Sequence, residues 1–113
     1  TPMIVSGDFN SDSHLDWCES AKDLHYGYVL PWPTSMLMQE MGFKDSYREI
    51  YPDPVKHPCL TWSPFSKLDL QYRIDFIYYK SSDIKATSAQ MIDHHPIRFP
   101  SDHAAITTDF KYN

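Results

Sequence analysis

The sequence holds no apolar run approaching the ~18 residues of a membrane-spanning helix. Nor does it show a basic start followed by an apolar stretch that would read as a secretory leader. It has two cysteines, Cys18 and Cys59, which lie 41 positions apart. That is too few for a disulfide scaffold and the wrong spacing for a zinc site, so two free thiols are expected. Glycine is scarce, three against nine prolines, which points to stiff loops between short elements. Positive charge is also short: 10 Lys and Arg face 15 Asp and Glu, a formal net charge of −5. That balance argues against a broad electrostatic grip on nucleic acid. It leaves room for a small anionic substrate, because a bound divalent cation reverses the local sign. Internal repeats, low-complexity runs and linkers are absent.

What is present suits one domain of 113 residues. Hydrophobic residues make up 42% and aromatics 15%, enough for a modest core and too much for a disordered chain. Residues 3–6 read as a short buried strand ending at Gly7. Ser13 can cap a helix over about 14–24. The stretch "PWPTSMLMQEMGF" reads as a better helix, with Thr34 as N-cap and Gly42 at its end. Leu37, Met38 and Met41 make its apolar stripe, expected to pack in the core. "SYREIYPDPVKHP" reads as a short helix and then a proline-rich loop, and "CLTWS" as a strand. "YRIDFIYYK" is the clearest strand, with apolar groups on both faces, so both should be covered. "IKATSAQMID" and "AAITTDFKY" read as further strands around the loop "HHPIRFPSDH". This order implies an α+β fold: a mixed, mainly antiparallel sheet with helices on one face.

Three polar motifs interrupt these elements in order: "GDFN" at 7–10, "RIDFIY" at 73–78 and "SDH" at 101–103. Each has a plain structural explanation. GDFN can be an Asx-turn, Asp75 can pair with Arg73, and Asp-His before a strand can be a turn. Their joint occurrence in this order, with 67 positions from Asp8 to Asp75 and 27 more to Asp102, asks for a common cause.

On these motifs, with "TWS" at 61–63, the chain resembles the C-terminal half of an endonuclease/exonuclease/phosphatase domain of deoxyribonuclease I-like fold. The flanking "SHLDW", "DPVKHP" and "FPSDHAA" resemble a bacterial branch of that family. The resemblance implies half of a four-layer αββα sandwich and a metal-dependent phosphoesterase. It implies that Asp8 orients or deprotonates the attacking water and that Asn10 contacts a phosphate oxygen. It implies further that Asp75 pairs with His103, which stabilises the phosphoryl oxygens. Asp102, with Asp8, would bind magnesium or manganese, and Thr61 and Trp62 would shape the pocket floor. Such residue types suit the reaction, since phosphoester cleavage builds charge that a hard cation and an imidazolium answer.

Two further histidines, His14 and His95, are candidates for substrate contact, while His25, His57 and His94 are assigned to solvent. Trp17, Trp32 and Tyr78 read as core rather than as platforms for a base, since no basic stripe accompanies them. The family's first half would supply an early Asn and a Glu ligand, and no residue here replaces them. Because the chain opens inside a strand, we expect it to be part of a longer protein and catalytically incomplete alone. An uncovered apolar sheet face would then drive the isolated chain to a homodimer. Candidate substrates are a small phosphoester, a lipid headgroup or nucleic acid. The competing reading is a non-enzymatic interaction module that keeps the fold.

Overall fold

The computed structural model describes residues 1–65 and 71–113. Its frame is strand β3, Asp75–Lys80, which pairs antiparallel on both sides. On one side runs β1, Met3–Asp8, in a register that sets Met3 opposite Lys80 and Asp8 opposite Asp75. On the other lies the two-residue β2, Lys44–Asp45, giving the order β1-β3-β2. A second sheet joins β4, Ile84–Ile92, to β5, Ala105–Tyr112, with a register shift between Ala86 and Ser88. The fold is α+β, and each of these strand pairings is antiparallel.

β3 is covered on both faces, as its composition requires. Phe76 and Tyr78 pack with Met38, and Tyr79 packs with Ile84 and Ala86. The short helix α2, Ser46–Ile50, ties the two sheets together. Ser46 donates its hydroxyl proton to Ile77 O at 2.7 Å and lies 2.7 Å from Thr108 Oγ1. Asp45 caps α2 by accepting from Arg48 N, satisfying an N–H that the helix leaves open.

Several expectations need correction. β1 is exposed along its whole length, with Met3 at 53% and Ile4 at 51%; among the described residues β3 is its one strand neighbour, on one edge. The first helix is a 3-10 helix over Glu19–His25, since extended Cys18 separates it from the turn that Ser13 organises. α1, Pro33–Glu40, starts one residue before Thr34 because proline's fixed φ suits the first helical position. Of its stripe only Met38 is buried; Leu37 and Met41 face solvent. Gly42 does end it, at φ +86°. "CLTWS" is no strand: Cys59 sits at φ +53°, and only Trp62 forms bridges, to Tyr72 and to His103. Both cysteines are free, and burial pushes the Cys59 thiol up to about 11. No helix among the described residues is long and apolar enough to cross a membrane.

Candidate active site

The β1–β3 register builds the site. Residues directly opposite in an antiparallel pair share a face, so Asp8 and Asp75 emerge together at one end of the sheet. The chain leaves β1 through a tight turn in which Asn10 N donates to Asp8 Oδ1 at 2.8 Å. Asn10 adopts φ +48°, a conformation that Asn tolerates better than most residues. The Asx-turn and the candidate site are therefore the same feature. Phe9 N then donates to Ile74 O at 2.8 Å and holds the turn against β3.

His103 reaches this corner from the loop before β5. Its Nδ1 lies 2.9 Å from Asp75 Oδ2 and its Nε2 lies 3.8 Å from Asp8 Oδ2. Donor atoms of Asp8, Asp75 and His103 all fall within 4.8 Å of one another. The hydrogen bond to Asp75, with the charges of Asp75, Asp8 and Asp102, raises the His103 pKa above its ordinary value. All three side chains stay partly open to solvent, at 35%, 16% and 29%.

Thr61 sets the spacing. It is fully buried, and its hydroxyl oxygen accepts from Ile74 N at 3.1 Å and Asp75 N at 3.3 Å. Its carbonyl accepts from Ala104 N at 2.7 Å, next to His103. One residue thus fixes the backbones that carry the carboxylate and the imidazole.

Asn10 and Trp62 line one cleft with His103, as their motifs suggest. Asp102 is exposed and outside the three-residue group; it acts on His103 through charge alone. His14 faces a different cleft, with Nδ1 2.7 Å from Ser35 Oγ and Nε2 3.0 Å from Gln39 Oε1. His95 is exposed and accepts from Ile97 N within its own loop. His25 is not a solvent residue: it stacks on Trp17 at 3.8 Å between ring centroids.

Sequence reasoning missed the buried charge network below the site. Arg73 pairs not with Asp75 but with Asp16 at 2.6 Å and Asp45 at 2.8 Å. Arg48 holds the same Asp16 at 2.8 Å and donates to the carbonyls of Tyr51 and His57. Burial opposes the charge on Arg73, and Asp45 and Asp16 together overcome it, raising its pKa. The signal was there: an arginine inside an apolar strand run must find carboxylates.

The donor set suits a hard divalent cation in part. Asp8 and Asp75 offer carboxylate oxygens, as magnesium or manganese prefers.

Compared with known proteins, the chain is 35% identical to an uncharacterized protein of Caenorhabditis elegans over 98% of this chain and 41% of that protein. It is 23% identical to nocturnin of Rattus norvegicus and of Mus musculus, over 99% of this chain and 25% of each. The chain therefore spans well under half the length of these relatives. All three are animal proteins and do not speak for the bacterial branch. No family model matches the chain. No solved structure matches it either.

Proposed function

We propose that this chain carries half of the active site of a metal-assisted phosphoester hydrolase of the endonuclease/exonuclease/phosphatase type. The observation that carries the reading is the convergence of Asp8, Asp75 and His103 from three separated motifs on one corner. The distant similarity to nocturnin along nearly the whole chain supports the same superfamily.

Each residue has a task that its geometry permits. Asp75 accepts the Nδ1 proton of His103, which fixes the ring and favours its charged form. Nε2, on the side facing Asp8, then donates to a phosphoryl oxygen. Asp8, with Oδ1 engaged by Asn10 N, keeps Oδ2 for orienting a water and taking its proton. The Asn10 amide supplies a neutral donor to a phosphate oxygen without repelling it. Asp8 and Asp75 would hold a magnesium or manganese ion, which when bound neutralises charge on the phosphoryl oxygens. The remaining ligands would come from chain outside these 113 residues.

The test is hydrolysis of bis-para-nitrophenyl phosphate by the full-length protein with magnesium. We expect activity that falls by about 10²–10⁴-fold in Asp8→Ala and in His103→Ala. A folded full-length protein that cleaves none of several phosphoesters would instead favour the interaction-module reading.

A further inference from the structure

The three motifs that supply Asp8, Asp75 and His103 are tied together at a residue that belongs to none of them. Thr61 holds "RIDFIY" with its hydroxyl oxygen, which accepts from Ile74 N at 3.1 Å and Asp75 N at 3.3 Å. It holds the end of "SDH" with its carbonyl, which accepts from Ala104 N at 2.7 Å. It reaches "GDFN" through one peptide, since Ile74 O accepts from Phe9 N at 2.8 Å. We propose that Thr61 is a positioning residue: its hydroxyl sets Asp75 against His103 and so governs the rate of the phosphoryl step, without contributing to substrate binding. The proposal rests on the phosphoester reading of Asp8, Asp75 and His103.

A hydroxyl does here what strand pairing does elsewhere. Residues 59–63 form no strand, and Trp62 alone among them makes bridges. Successive N–H groups in a strand point to opposite edges, so one oxygen takes two of them only at a break in the strand. The break is the start of β3 at Asp75. With both N–H groups on Thr61 Oγ1, the hydroxyl proton is aimed at Tyr72 O, 3.5 Å away. The direction in which the Asp75 side chain leaves the backbone is therefore set by this one oxygen.

His103 is held from the same place. Its neighbour Ala104 donates to the Thr61 carbonyl, its own backbone bridges to Trp62, and its N–H is taken by Ser101 Oγ at 3.1 Å. Asp75 Oδ2 and His103 Nδ1, 2.9 Å apart, thus share a support, and moving one without the other opens their hydrogen bond. Thr61 itself is completely buried and cannot touch a substrate. Its loss should therefore appear in kcat and spare KM.

The test is steady-state hydrolysis of bis-para-nitrophenyl phosphate by the full-length protein with magnesium. Thr61→Val removes the hydroxyl and should lower kcat about 10- to 100-fold, the scale of a small misplacement of reacting groups. KM should stay within about twofold. Thr61→Ser keeps an acceptor and a donor and should return kcat to within about threefold of the wild type. In an Asp75→Asn background Thr61→Val should cost little more, because the pair it positions is already broken. If Thr61→Val does not fold, Thr61→Cys, whose sulfur accepts poorly, carries the comparison. A wild-type kcat in the hydroxyl-free variant, a change confined to KM, a serine variant as impaired as the valine one, or full multiplication with Asp75→Asn would overturn the proposal. NMR of the His103 ring nitrogens reads the same contact without turnover. Their shifts should move in Thr61→Val and hold in Thr61→Ser, and shifts unchanged in Thr61→Val would overturn the proposal. If they move as expected but the wild type cleaves no phosphoester, the positioning stands and the phosphoester reading fails.

Discussion

One oxygen of Asp75 favours the protonated form of His103. With the pKa raised, the imidazolium persists above the ordinary histidine value of 6.5. The stabilisation from this pair is complete below that value and is lost as pH rises through the raised one. The groups that set the limb are Asp75 first, then Asp8 and Asp102. Activity that needs the imidazolium should therefore fall on the alkaline side at a pH above 6.5, and Asp75→Asn should move the fall downward. A pH profile of kcat/KM for wild type and variant reads this directly. A variant profile that coincides with the wild type would contradict the role given to Asp75.

At the scale of elements, the site depends on short pieces that the sequence reveals unevenly. β3, β4 and β5 were legible because β-branched and aromatic runs are local signals, and α2 was legible as a short helix before a proline-rich loop. The meeting of Asp8, Asp75 and His103 at one corner was legible because three motifs occurred in a known order. The environment of β1 was not, since apolar composition cannot tell a covered strand from an exposed one. "CLTWS" misled for a related reason. Of its strand-like residues only Trp62 forms isolated bridges, to Tyr72 and His103 outside the named strands, and the left-handed turn at Cys59 leaves no periodic trace. The buried network escaped because its four members are distant in sequence: Asp16 in a turn, Asp45 in β2, Arg48 in α2 and Arg73 just before β3. Removing one member strands its partners in a dry interior. We expect Arg73→Met to cost about 3–5 kcal/mol, because Asp45 loses its ion pair and Asp16 keeps only Arg48. Denaturant unfolding measures it, and a loss below about 1 kcal/mol would show that water reaches the network.

The molecule as a whole exposes a strand that most proteins would cover. Among the described residues β1 pairs on one edge alone, and Met3, Ile4 and Val5 lie in solvent within six residues of Asp8. A bare apolar edge strand invites pairing with whatever strand can reach it. We propose that in the isolated 113-residue chain a second copy covers this strand, so sedimentation at micromolar concentration should show a dimer. Charged residues in place of Ile4 and Val5 should return it to monomer. A wild-type chain that sediments as a monomer would mean that β1 tolerates exposure.

In the proposed reaction Asp8 and His103 act on one phosphoryl group as a unit. The direct measurement is a double-mutant cycle on kcat/KM in the full-length protein, using Asp8→Ala, His103→Ala and both together with a diester substrate and magnesium. Residues that serve one transition state are not additive, so the double variant should lose little more than the worse single variant. Losses that multiply in full would place the two side chains in separate tasks and contradict the shared site.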